Sequence, residues 1–264
     1  MEPNTIAQIG LAFNENSKLV KNALIGLRRQ LNRGNIVIAV FGAGGVGKTT
    51  LGRMLSTDLA TISQPTSYQE SRDNETFWLA SNPAQNVLIA PGQSRRMEQH
   101  APIIRSELSK AKRACVVVHV AAYGYHALTS GSKIPDVKAF DDYLRRNKER
   151  EIEIVKEIAT FLRLNETPPV RMITLITKQD LWWTESDAVI AHYESGEYQT
   201  AIETIAQAKG TQRFQHEYAY AALCHQNFKQ SDGVVIKQTV AGYDDELRIG
   251  ALTGLFDLME RFTK

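Results

Sequence analysis

Little in this chain is concentrated. No apolar run reaches the roughly 18 residues that a membrane-spanning helix needs. The net charge is only +2, and two cysteines and six histidines are scattered singly through 264 residues. These absences exclude a good deal. Near balance of charge removes the bulk electrostatic case for nucleic acid or an anionic lipid surface. Cys115 and Cys224 stand without partners at metal-binding spacing, so no zinc module is expected. Both read as core thiols of a reducing compartment, with a disulfide between them left open. The opening MEPNTIAQIG lacks the basic-then-apolar layout of a signal peptide, which points to the cytoplasm. Repeats, low-complexity tracts and Pro/Gly linkers are missing too, so one large domain is expected.

What is present is a series of short, continuously apolar runs separated by helical patterns. NIVIAVFG (35–42), RACVVVHVAA (113–122) and VRMITLIT (170–177) have the composition of strands buried on both faces. Shorter strands are expected near ETFWLA (75–80) and NVLIA (86–90), with helices at about 48–59, 95–112, 136–164, 184–209 and 247–262. Strands alternating with helices predict an α/β fold, a mostly parallel sheet in three layers. Residues 15–33 read as an amphipathic helix with Leu19, Val20, Leu24, Leu27 and Leu31 on one face and Lys18, Lys21, Arg28 and Arg29 on the other. Its apolar stripe has three possible uses: packing on the domain, docking a partner, or lying on a membrane surface. The organisation expected is a helical extension over 1–33 and a domain over 34–264, with a helical insertion at about 123–165. QSDG (230–233) reads as the turn of a late hairpin between FQHEYAYAALCHQ and GVVIKQTVAGY.

The first chemistry lies between the first strand and its helix. GAGGVGKT (42–49) has the G-x-x-x-x-G-K-[ST] form, and its strand–loop–helix context turns the string into a mechanism. Gly42, Gly44, Gly45, Val46 and Gly47 let the backbone curl so that successive N–H groups hold phosphate oxygens, and Thr50 follows in the helix. Lys48 reaches the terminal phosphates, Thr49 offers its hydroxyl to Mg²⁺, and the helix presents its positive end.

A second motif selects the base. ITKQD (176–180) ends the third apolar strand and has the [NT]-K-x-D form. Guanine carries two adjacent donors, N1–H and the 2-amino group, and an ionised Asp180 is acceptor-only. Adenine offers no such donor pair, so the carboxylate beside it would stay unpaired at about 1–3 kcal/mol. Lys178 lays its aliphatic stem over the base, and Thr177 opens the motif. Trp182 and Trp183 follow directly; one is expected in the core and the other at an interface.

Together these motifs make the chain resemble the small G domains of the translation-factor and Ras/Arf-like P-loop GTPases. The resemblance implies a GTP/GDP-binding switch that uses Mg²⁺, hydrolyses GTP slowly and works with a protein effector or activator. It implies a switch threonine, here Thr66 with Thr61 as the fallback, closing on Mg²⁺ beside Thr49. It also implies a base-contacting loop after the last strand, here QTVAGY with the backbone N–H of Ala241. Its D-x-x-G signature falls on IAPG, so Gly92 and Gln93 stand where the family contacts the γ-phosphate and orients water. Ile89 stands where the family keeps a magnesium-organising aspartate.

Three readings of Ile89 stay open. The chain is a non-hydrolysing scaffold; or Mg²⁺ is held by hydroxyls, phosphates and waters alone; or Glu70 or Asp73 substitutes. The phosphate loop holds no arginine, so acceleration is expected from a partner or from Arg72, Arg95 or Arg96. An ATP-using P-loop enzyme is the remaining class, and it requires that Asp180 play no part in base choice.

Overall fold

The computed structural model describes residues 18–27, 36–56, 75–78, 86–90, 106, 108, 114–128, 132–134, 136–162, 168–210, 212–230 and 232–264. Its centre is a six-stranded sheet made of β1 (Ile36–Phe41), β2 (Glu75–Trp78), β3 (Asn86–Ile89), β4 (Ala114–Ala121), β5 (Val170–Ile176) and β6 (Phe214–Tyr220), in the order β2-β3-β1-β4-β5-β6. Every neighbouring pair is parallel except β2 with β3. The three apolar runs of the sequence are the three central strands. Val116, Val117 and Val118 are consecutive and all fully buried, so both faces of β4 are covered. That is why the run shows no polar alternation.

Helices among the described residues include α1 (residues 18–27), α2 (Lys48–Ser56), α3 (Val137–Leu162), α4 (Gln179–Trp182), α5 (Ser186–Glu194), α6 (Glu197–Lys209) and α7 (Asp245–Thr263). Asp244 caps α7 by accepting Leu247 N–H at 2.9 Å, and Asp245 and Glu246 follow in the first turn, where negative charge meets the helix dipole. α6 packs against α3 and β6, and α7 against β4 and β6. Among the described residues no helix is long and apolar enough to cross a membrane.

The structure adds three details to the expected organisation. The helix at 137–162 connects the parallel strands β4 and β5, which cannot be joined without a crossover. The first hairpin arm also divides. Phe214–Tyr220 pairs in parallel with β5 as the last strand of the sheet, and only β7 (Phe228–Lys229) and β8 (Val235–Lys237) form the antiparallel hairpin. The long apolar-aromatic run before QSDG concealed that break. Finally, Val20, Ala23, Leu24 and Leu27 of α1 belong to the main core, while Leu19 is 54% exposed. A Cβ at Gly26 would lie 2.7 Å from Glu260 Oε2, so α1 runs against α7. The buried stripe is therefore used in intramolecular packing.

Candidate functional site

The phosphate loop lies where the sequence predicts, between the end of β1 and the start of α2. Gly42 takes φ 147°, and a Cβ there would come within 2.3 Å of the Val120 carbonyl on the neighbouring strand. Only glycine lets the loop pass β4 so closely. Gly44, Gly45, Val46 and Gly47 make the turn, and α2 begins with Leu51 N–H bonded to Gly47 O at 2.9 Å. No acidic residue occupies the first turn of α2, so its positive end is not neutralised from within. Lys48 is buried, its ammonium donating to the carbonyls of Gly42 (2.9 Å) and Ala43 (2.7 Å). Thr49 and Thr50 are half-buried on the opening turn.

The base motif is tied to this loop by one hydroxyl. Thr177 Oγ1 lies 2.7 Å from the Val46 carbonyl and 2.9 Å from the Ala121 carbonyl, where β5 and β4 both end. Trp182, fully buried, donates Nε1–H to Thr177 O at 2.8 Å and fixes the turn from below. Trp183 is half-buried and meets Tyr243 edge-on. Lys178 adopts the left-handed backbone region, φ 59°, and its ammonium donates to the Tyr125 carbonyl. Burial pulls that ammonium down to about 8.

Asp180 is 1% exposed. Its Oδ2 accepts Gln226 N–H at 3.0 Å, and no donor among the described residues reaches Oδ1. Burial pushes the carboxyl up to about 6, against the opposing pull of Gln226 N–H, His225 and Lys178. A buried carboxylate oxygen without a partner is costly and rare in folded proteins.

Two segments approach Asp180, and they separate the roles the sequence assigned to one. The stretch after the last sheet strand begins at Ala221, and it is this stretch, through Gln226, that touches the carboxylate. QTVAGY instead meets the backbone of Asp180, through Val240 N–H at 2.7 Å, and Ala241 is exposed. The stretch 221–226 follows the last strand of the six-stranded sheet, and QTVAGY follows the hairpin strand β8.

Ile89 ends β3, paired in parallel with Val40 of β1. It is 2% exposed and belongs to the core. Its partner across β2–β3 is Glu75. Thr61, Thr66, Glu70, Arg72, Asp73, Gly92, Gln93, Arg95 and Arg96 lie outside the described residues. Cys115 is buried, its thiol pushed up to about 12 by burial, and Cys224 is half-buried; both are free. Among the described residues no cluster of three or more His, Cys, Asp or Glu is arranged to hold a metal. The one candidate metal hydroxyl of the sequence reading among the described residues is that of Thr49, half-buried at the start of α2.

No protein-family model matches the sequence, and no curated protein does. Solved structures similar to this chain include an ADP-ribosylation-factor-like GTP-binding protein, the small COPII coat GTPase SAR1 of Encephalitozoon cuniculi in complex with GDP. It is 14% identical, with 99% of this chain and 94% of that one covered and a TM-score of 0.48. The mammalian SRP receptor is 18% identical over 71% of this chain and 91% of that one, with a TM-score of 0.39. The signal recognition particle receptor SRb–GDP–Mg of Chaetomium thermophilum is 12% identical over 70% and 90%, with a TM-score of 0.38. The defining features come from the chain itself: strand order β2-β3-β1-β4-β5-β6 with β2 alone antiparallel, a glycine-rich loop after β1 and a T-K-x-D turn after β5. By that topology and those two turns, the chain has the α/β fold of a small P-loop G domain.

Proposed function

We propose that this protein is a cytoplasmic guanine-nucleotide switch that binds GTP and GDP, hydrolyses GTP slowly to GDP and phosphate, and is regulated by a protein partner. The observation that carries the reading is the unpaired, buried Oδ1 of Asp180, on a turn bonded through Thr177 to the phosphate loop. Guanine supplies two donors side by side, and an acceptor-only group meets them without loss. Adenine would leave that oxygen unpaired, which weighs against an ATP-using enzyme.

In this reading the loop amides and Lys48 hold the β- and γ-phosphate oxygens, and the start of α2 adds its dipole. Lys48 exchanges its two carbonyl partners for phosphate. Mg²⁺, bound through Thr49, would neutralise charge on the phosphates. Thr66 is assigned as the switch residue, Gly92 as a γ-phosphate contact, and Gln93 as the residue that orients water. Catalysis is positioning and electrostatics, so turnover without a supplied arginine is slow. A second reading, a nucleotide-binding scaffold that does not hydrolyse, is favoured by Ile89, an apolar core residue at the carboxylate position.

The test is titration with a fluorescent GTP analogue, with and without Mg²⁺, following phosphate release in the same samples and using ATP as competitor. Mg²⁺-dependent binding with slow release, lost in Lys48→Ala and reduced in Gln93→Ala, is expected for the switch. Tight guanine binding with no release selects the scaffold. Equal competition by ATP overturns both.

A further inference from the structure

We propose that Glu151, on α3 and away from both motifs, is a positioning residue that sets guanine-nucleotide affinity by holding the 122–128 loop in shape. The inference rests on the nucleotide reading above. Residues 122–128, AYGYHAL, follow β4 without regular structure, and two consecutive residues, Tyr123 (φ 50°) and Gly124 (φ 82°), occupy the left-handed region. A Cβ at Gly124 would meet the Leu144 carbonyl at 2.4 Å. A bulky residue rarely adopts such a conformation unless its surroundings impose it.

Glu151 supplies that imposition. It is fully buried, and its Oε1 accepts Ala122 N–H (2.9 Å) and Gly124 N–H (3.2 Å) and lies 2.7 Å from His126 Nε2. Its Oε2 accepts the Tyr193 hydroxyl at 2.5 Å, and that hydroxyl accepts Tyr123 N–H at 2.9 Å. Three successive backbone N–H groups thus converge on one carboxylate and its tyrosine. A carboxylate satisfied by several N–H donors holds them in a defined geometry, and deleting it strands them all.

The loop so held touches both halves of the site. Ala127 N–H donates to Gly45 O of the phosphate loop at 3.1 Å, and the Tyr125 carbonyl accepts the ammonium of Lys178 from the base motif. Two other side chains of α3 donate to loop carbonyls, Asn147 Nδ2 to Gly124 O and the Tyr143 hydroxyl to His126 O, both at 2.8 Å. Among the described residues Glu151 alone accepts the loop's N–H groups from this helix; Glu149 and Glu153, two residues to either side, are exposed and paired with arginines. Removing the Glu151 carboxylate strands the N–H groups of Ala122 and Gly124 and releases the Tyr193 hydroxyl that holds Tyr123 N–H, leaving Asn147 on Gly124 O, so the loop's hold on Gly45 and Lys178 should loosen.

The experiment uses the full chain and a fluorescent GDP analogue, measuring affinity and dissociation rate for wild type, Glu151→Gln, Glu151→Ala and Ile158→Ala. Ile158 is a fully buried apolar residue of the same helix, so its truncation loosens the core without touching the loop. Thermal melting of nucleotide-free samples reports the folding cost of each variant. Gln keeps one acceptor and loses the charge, so a threefold to tenfold faster dissociation is expected. Ala is expected to exceed tenfold, and Ile158→Ala to melt earlier with unchanged dissociation. If Glu151→Ala does not fold, Glu151→Gln decides alone. Wild-type dissociation rates in the Glu151 variants, or an equal change in Ile158→Ala, overturn the proposal. Wild-type protein that binds no guanine nucleotide overturns the underlying reading instead, and that result is read before any variant.

Discussion

Asp180→Asn should weaken guanine binding and stabilise the unliganded protein, two effects of opposite sign from one atom. In the native site Oδ2 accepts Gln226 N–H at 3.0 Å. An asparagine must keep its carbonyl there, since its NH₂ would face a donor. The NH₂ then occupies the place of Oδ1 and confronts the N1–H and 2-amino group of guanine. Losing a hydrogen bond to a charged group costs about 1.5–3 kcal/mol, and leaving donors unmatched adds about 1–3 kcal/mol. At 1.36 kcal/mol per tenfold, the affinity for GTP should fall about a hundredfold or more. Xanthosine triphosphate, with a carbonyl where guanine has its amino group, should gain.

Without nucleotide the balance reverses. Burial moves the carboxyl from 3.8 to about 6, which corresponds to about 3 kcal/mol held against the charged form at neutral pH. Asparagine removes the charge but keeps a buried polar group, so about 1–2 kcal/mol should return as stability, roughly 2–4 °C in Tm for each kcal/mol. The assay pairs thermal melting of nucleotide-free protein at pH 7.5 with titration of a fluorescent GTP analogue against GTP, ATP and xanthosine triphosphate. Asparagine protein that binds GTP within threefold of wild type would refute the assignment of Asp180 to the base. A lower Tm would refute the account of its burial. Acid provides an internal check. As pH falls through about 6 the carboxyl takes a proton and ceases to be acceptor-only, so wild-type guanine affinity should decline there.

Thr177→Val keeps the shape of the side chain and removes the hydroxyl that bridges the Val46 and Ala121 carbonyls; a loss of about 1–3 kcal/mol in urea unfolding and weaker nucleotide binding are expected. His119 and His216 are held neutral by burial, near 3 and 4 respectively, below the 6.5 of an exposed histidine. Below pH 6.5 the unfolded chain therefore binds more protons at these sites than the folded one. Their stabilising contribution is complete above 6.5 and lost as pH falls toward 4 and then 3, with Asp180 opposing in part between about 6 and 3.8. Unfolding free energies at pH 7.5, 5.5 and 4.5 check the sign. Leu24→Ala should cost about 2–5 kcal/mol, because the α1 stripe is core; a cost below 0.5 kcal/mol would return that helix to a membrane or partner role.

The two candidate turns were legible in the sequence because each depends on contiguous residues. A glycine-rich turn between an apolar run and a helix, and a T-K-x-D turn after another, are marked by their own spacing, and the fold joins them through Thr177. The three central strands were equally plain, since burial on both faces leaves an unbroken apolar run. Other features required the fold. Parallel pairing of β6 with β5 is a long-range event, and nothing within FQHEYAYAALCHQ marks Tyr220 as the end of the strand. That pairing brings 221–226 to the Asp180 carboxylate, beside 238–243 at its backbone. Glu151 was hidden for a related reason: EREIEIVKEI carries several glutamates with the same local pattern. Only the packing of α3 against the 122–128 loop takes one of them out of water and gives it four donors, because hydrogen-bond partners up to 42 residues away meet there through tertiary contact alone.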